Sequence, residues 1–176
     1  MMKILIVVDM QKDFVDGALG TPEAVAIVDR VVRKIEDFDG DIYATYDTHT
    51  EDYLASAEGK NLPVVHCVKD TEGWQLNAAV QAALDKRDYG TVEKVTFGSV
   101  DLPAILEQNY DVENISVELI GLCTDICVVS NALLLKAHFP EMPISVDASC
   151  CAGVTPETHR AALTTMKMCQ INVINE

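Results

Sequence analysis

Short apolar runs alternate along the chain with stretches whose apolar residues recur every three to four positions, and this alternation predicts the elements. Lys3 to Val8 is a continuous apolar run, the pattern of a parallel strand covered on both faces. Pro22 to Phe38 carries Val25, Val28, Val31, Val32 and Ile35 at helical spacing, with Thr21 as N-cap and Pro22 at the first helical position. Further strands are predicted at Asp41 to Tyr46, Leu62 to Cys67, Thr91 to Val95, Ile115 to Ile120, Ile144 to Val146 and Ile171 to Ile174. Helices are predicted at Leu76 to Leu84, at Val100 to Gln108 with Pro103 in its first turn, at Thr124 to His138 capped by Thr124, and at Pro156 to Cys169. The result is an α/β domain: a central parallel sheet flanked by helices on both faces, with sites expected beyond the carboxyl ends of the strands.

Composition narrows this picture. A length of 176 residues without linker or repeat predicts one domain over 1–176, and a 49% hydrophobic content excludes a disordered chain. No apolar run is long enough to span a bilayer, and Met1 to Val8 lacks the basic region and cleavage site of a signal peptide. Thirteen basic against 28 acidic residues give a formal charge of -15, which disfavours nucleic acid and anionic membrane as partners, since both require a cationic face. Cys67, Cys123, Cys127, Cys150, Cys151 and Cys169 sit mostly in apolar contexts and form no CxxC pair. They read as reduced thiols of a cytoplasmic protein rather than as disulfides or a structural zinc site. Leu133, Leu134, Leu135 and Phe139 exceed what one helix stripe buries, which predicts a homo-oligomer.

The candidate chemistry sits at predicted strand ends. Cys127 falls in the first turn of the helix after Ile115 to Ile120, where free backbone N–H groups and the helix dipole favour a thiolate and can hold an oxyanion. Taken alone, a cysteine there is also an ordinary small core residue, and Cys123, in the preceding turn, is a competing nucleophile. Asp9 ends the first strand; a buried carboxylate is costly unless paired or functional, and it can take a thiol proton. Lys94, inside an apolar strand, can anchor both charges; the alternative is an edge-strand lysine.

A second cluster has the composition of a metal site. Asp47 and His49, two apart on an extended chain, point the same way, and a neighbouring strand would bring His66 alongside. A carboxylate and two imidazoles suit zinc, iron or manganese with positions open to water, and Glu58 on the intervening loop is the candidate fourth ligand. His138 and His159 read as ordinary helix residues.

Together these motifs resemble the isochorismatase-like cysteine hydrolase superfamily, and within it the amidohydrolases of nicotinamidase/pyrazinamidase type. The resemblance runs from Ile4 to about Ile174. It rests on Asp9-x-Gln11-x-Asp13-Phe14, Asp47-x-His49, His66-Cys67, Lys94-x-x-Phe97 and Gly121-x-x-Thr124-Asp125-x-Cys127-Val128, in that order. It implies a Rossmann-like three-layer sandwich, a catalytic triad of Asp9, Lys94 and Cys127, and a cis peptide between Leu122 and Cys123. It also implies an oxyanion hole from the Cys123 and Cys127 amides, and a divalent transition metal on Asp47, His49 and His66 that orients a pyridine nitrogen. Phe14 would line the substrate pocket, and oligomers are common among such hydrolases. Trp74 is a candidate pocket cover, or else part of a packed surface loop. Thr48 and Ile126 stand where many relatives carry aromatics, and the chain is shorter than many, which leaves the substrate open.

The implied reaction is ammonia release from nicotinamide or a similar small amide. Cys127 attacks the carbonyl as Asp9 takes its proton, ammonia leaves with that proton, and water hydrolyses the thioester. The alternatives are another small amide, such as a carbamoyl or ureido compound, or an isochorismatase-type hydrolase. A non-enzymatic phosphate-receiver module is disfavoured, because Asp9 and Asp13 do not form its adjacent acidic pair.

Overall fold

The structure, a computed structural model, describes residues 1–176. Six strands form one parallel sheet: β1 (Met2–Val8), β2 (Asp41–Asp47), β3 (Tyr89–Lys94), β4 (Ile115–Leu122), β5 (Ile144–Ala152) and β6 (Asn172–Ile174). Their spatial order is β3-β2-β1-β4-β5-β6, and every neighbouring pair is parallel. The helices are α1 (Lys12–Val15), α2 (Pro22–Asp37), α3 (Ala57–Asn61), α4 (Ala78–Leu84), α5 (Leu102–Asn109), α6 (Val129–His138) and α7 (Pro156–Met168).

Strand alternation divides the core in two. Leu5 and Val7 of β1 pack with Ile27, Val31 and Ile35 of α2 and Val80 and Leu84 of α4. Ile4, Ile6 and Val8 face the other way, onto Leu102 and Leu106 of α5, Ala132 and Leu135 of α6, and Leu163 and Met166 of α7. Because both faces of β1 are covered, all of Ile4 to Val8 is fully buried, which is why the run reads as continuously apolar. Thr21 caps α2 by accepting from the Ala24 amide at 3.0 Å, as predicted.

The chain order turns back between β1 and β4, so the crevice of the doubly wound sheet opens at the carboxyl ends of these two strands. Gly121 lets them approach. Its φ is +109°, and a Cβ there would lie 2.2 Å from the Val8 carbonyl oxygen, so no side chain fits.

Two element expectations are corrected. Leu62 to Cys67 is not a sheet strand; β3, at Tyr89–Lys94, takes the place beside β2. Pro63 has no N–H to donate to a ladder, and Leu62 and Val65 are exposed. The segment instead runs beside the extension of β2, with the His49 amide donating to the Cys67 carbonyl at 2.9 Å. Thr124 is not a helix cap: Cys123 holds that position, and the chain makes a wide π-type turn over Thr124–Val128 before α6 begins. The Thr124 hydroxyl bonds His159 Nδ1 at 2.8 Å, so His159 has a specific packing partner.

The apolar excess on α6 is absorbed within the chain. Leu135 and Phe139 are buried, and Leu133 and Leu134 are half-buried. No helix is long and apolar enough to cross a membrane.

Candidate active site

The strand order sets four chemically active strand ends in a row. Asp47 at the end of β2 pairs in register with Lys94 at the end of β3, Asp9 follows β1, and the turn carrying Cys127 follows β4. Lys94 Nζ lies 2.6 Å from Asp9 Oδ2, 3.5 Å from Cys127 Sγ and 3.3 Å from Asp47 Oδ1. The Thr45 hydroxyl donates to Asp9 Oδ1 at 2.6 Å and accepts from the Asp9 amide at 3.2 Å, which orients the carboxylate. Beyond the Lys94 ion pair, Asp9 Oδ2 has no hydrogen-bond partner, so a lone pair is left for a proton.

Burial dominates the electrostatics. Asp9, Lys94 and Cys127 are all buried. Burial, with the negative charge of Asp9 beside it, pushes the Cys127 thiol well above its ordinary value, and Lys94 only partly offsets this. Burial thus opposes the thiolate that free amides and the dipole at a helix start favour. Burial also raises Asp9, against the pull of Lys94, which makes it the stronger base. Burial alone would lower Lys94, but the charges of Asp9 and Asp47 and the hydrogen bond to Asp9 outweigh it and keep the ammonium charged.

The Cys123 amide donates to no other group of the chain, while the Ile126 and Val128 amides both donate to the Cys123 carbonyl, at 3.1 and 3.0 Å. The Leu122–Cys123 peptide is cis. A cavity of about 230 Å³ opens over Cys127, lined among others by Phe14, Phe97, Cys123 and Ile126, with Asp47, Glu58 and His66 in its wall. Phe14 also packs edge-on against the His66 ring, their centroids 5.3 Å apart. Trp74 does not line this cavity. It stacks on Tyr46 at 5.1 Å and donates to the Thr48 hydroxyl at 2.9 Å, so the packed-loop alternative holds.

Asp47, His49, Glu58 and His66 each bring a ligand atom within 4.8 Å of the others. Asp47 Oδ2 lies 3.0 Å from His49 Nε2 and 3.6 Å from His66 Nε2, and Glu58 Oε1 lies 3.7 Å from each ring nitrogen. His66 Nδ1 donates to the Val64 carbonyl at 2.8 Å, which leaves the Nε2 lone pair facing the cluster. Burial and the charge of Asp47 together raise the Glu58 carboxyl. Two carboxylates and two imidazoles converging in this way fit a divalent transition metal.

Residues 3–175 match the isochorismatase domain family. The chain belongs to that family. It is 23% identical to the nicotinamidase of Saccharomyces cerevisiae over 99% of this chain and 100% of the relative. The crystal structure of the nicotinamidase/pyrazinamidase of Bacillus subtilis is 27% identical, superposes with a TM-score of 0.87, and is covered over 99% of this chain and 100% of that one. The pyrazinamidase of Pyrococcus horikoshii, solved in complex with zinc, is 28% identical with a TM-score of 0.79 and full coverage of both chains.

Several site residues of this isochorismatase-family chain escaped the sequence reading. Thr45 sits fully buried two residues before Asp47, on a strand whose sequence alone does not show that its hydroxyl faces Asp9. Leu19, Thr21, Leu62 and Val154 reach the cavity from loops distant in sequence and carry no signal of it.

Proposed function

We propose that the protein is a metal-assisted cysteine amidohydrolase that releases ammonia from nicotinamide or a similar small carboxamide. The observation that carries this reading is the convergence of Asp9, Lys94 and Cys127 beneath an apolar cavity whose wall holds the Asp47, Glu58 and His66 cluster. Hydrolysis of an amide carbon–nitrogen bond is the chemistry of the nicotinamidases that this chain resembles along its whole length.

The residues divide the reaction as follows. The neutral Cys127 thiol loses its proton to Asp9 as sulfur attacks the amide carbon, and the S–C bond forms as the carbonyl π pair moves to oxygen. The Cys123 and Cys127 amides hold the oxyanion, and Lys94 balances the negative charge passing between sulfur and Asp9. Asp9 returns the proton to nitrogen as the C–N bond breaks and ammonia leaves. Asp9 then takes a proton from water, which attacks the thioester and regenerates the thiol. Phe14, Phe97 and Ile126 flank a flat ring and exclude water. Asp47, His49, His66 and Glu58 would hold a divalent metal, which would supply a Lewis-acidic anchor for the ring nitrogen. The reading includes a homo-oligomer, a dimer or tetramer, and a cytoplasmic location, which six free cysteines support.

The test is ammonia release from nicotinamide, pyrazinamide, linear amides and ureido compounds, with and without chelator and re-added metal. Turnover of the ring carboxamides, lost on chelation, supports the reading. Turnover of linear amides alone transfers it to the carbamoyl or ureido class.

A further inference from the structure

Gln11 and Asp13 belong to the first motif of the chain, but neither lines the cavity nor supplies a ligand atom to the cluster. Gln11 is fully buried at the head of α1, and all its polar capacity is directed at backbone. Its Oε1 accepts from the Asp47 amide at 2.7 Å, and its Nε2 donates to the Asp47 carbonyl and to the Trp74 carbonyl, both at 2.8 Å. Only one orientation of the side-chain amide satisfies all three bonds. The Asp47 peptide groups are thus gripped from both sides.

Asp13, two residues on, does the equivalent for the other half of the cluster. Its Oδ2 accepts at 2.8 Å from the amide of Cys67, the residue after His66, and its Oδ1 accepts from the Ala18 amide at 3.2 Å. Gly73 packs so close that a Cβ there would lie 2.1 Å from Asp13 Oδ2, and the Gly73 carbonyl accepts from the Asp13 amide at 3.0 Å. One short helix therefore holds both the strand end bearing Asp47 and the irregular segment bearing His66.

We propose that Gln11 and Asp13 are positioning residues for metal binding, setting Asp47 and His66 at the separation a shared ion requires. Asp47 comes from the sheet and His66 from a loop; backbone bonds from the His49 amide to Cys67 and from the Lys69 amide to His49, each 2.9 Å, lay that loop beside the extension of β2, and Gln11 and Asp13 tie the peptide groups at both ligands to one common anchor. This rests on the reading of the Asp47, His49, Glu58 and His66 cluster as a metal site.

The experiment titrates metal-stripped protein with zinc against a chelating dye, comparing wild type with Gln11→Met, Asp13→Ala, Asp13→Asn and His49→Ala. Circular dichroism and thermal melts of the metal-free proteins identify the folded variants. Folded Gln11→Met and Asp13→Ala should bind zinc about 10- to 100-fold more weakly than wild type. Asp13→Asn keeps an acceptor for the Cys67 amide and should recover most of the affinity. A purely structural role would lower the thermal midpoint and leave the affinity of the folded protein unchanged, and that result overturns the inference. Asp13 is only half-buried, so Asp13→Ala decides the matter if Gln11→Met does not fold. Equal zinc affinity in wild type and His49→Ala overturns the metal reading itself, and this inference with it.

Discussion

Cys127 and Cys123 lie four residues apart, yet the proposed mechanism gives them different work. Lys94 Nζ sits 3.5 Å from Cys127 Sγ, whereas the group that the proposed mechanism takes from Cys123 is its backbone amide. Cys127→Ala should lower turnover by several orders of magnitude, while Cys123→Ala keeps most of it, because alanine retains the amide. Steady-state ammonia release checks both; the reverse order would mean that the other sulfur is the nucleophile. Asp9→Asn and Lys94→Ala should each remove most activity, and the double variant should be little worse than either single one, since the groups act as a unit. Additive losses in that cycle would argue for separate roles. At this scale Asp9, Asp47, His49 and Lys94 were legible because a charged or ligating residue that ends an apolar strand stands out. Gln11 and Thr45 were not assigned roles, because their partners, Asp47 and Asp9, are each 36 positions away.

At the scale of elements, the meeting of β1 and β4 depends on a single missing side chain. Gly121→Ala would force a Cβ against the Val8 backbone at a φ that suits glycine. A cost of about 3 kcal/mol, and a fall in thermal midpoint of roughly 6–12 °C, is expected from differential scanning fluorimetry. Lys34 of α2 pairs across to Glu118 of β4 and to buried Asp147 of β5, each at 2.7 Å. Hydrogen bonds and charge from Lys34, with help from Ser149 and Asn175, outweigh burial and hold Asp147 below its ordinary value. The stability this contributes is complete above the unfolded value of 3.8 and is lost as pH falls through the lower folded value. Lys34→Met should therefore cost about 2–3 kcal/mol near neutral pH, and its deficit relative to wild type should shrink below about pH 4 in urea melts. Leu62 to Cys67 shows where pattern fails: an apolar run beside a proline is indistinguishable from a strand until its backbone partners are known.

For the whole molecule, the doubly wound order β3-β2-β1-β4-β5-β6 turns scattered motifs into one site, because the four active strand ends are spatial neighbours. A homo-oligomer is expected at micromolar concentration by light scattering. The α6 leucines are covered within the chain, whereas Val95 and Val100 after β3 stand strongly exposed. A monomer with full activity would remove that expectation. The sequence by itself determined the fold class, since continuous apolar strands alternating with amphipathic helices bury their faces only around a parallel sheet. It also determined which residue types were available for nucleophile, base, cation and metal ligands. Tertiary structure alone decided that burial pushes the Cys127 thiol upward, because desolvation depends on everything packed around it. It alone delivered His66 from a loop rather than a strand, and it alone tied Gln11 and Asp13 to the ligand segments, because those bonds join positions whose spacing carries no periodic signal.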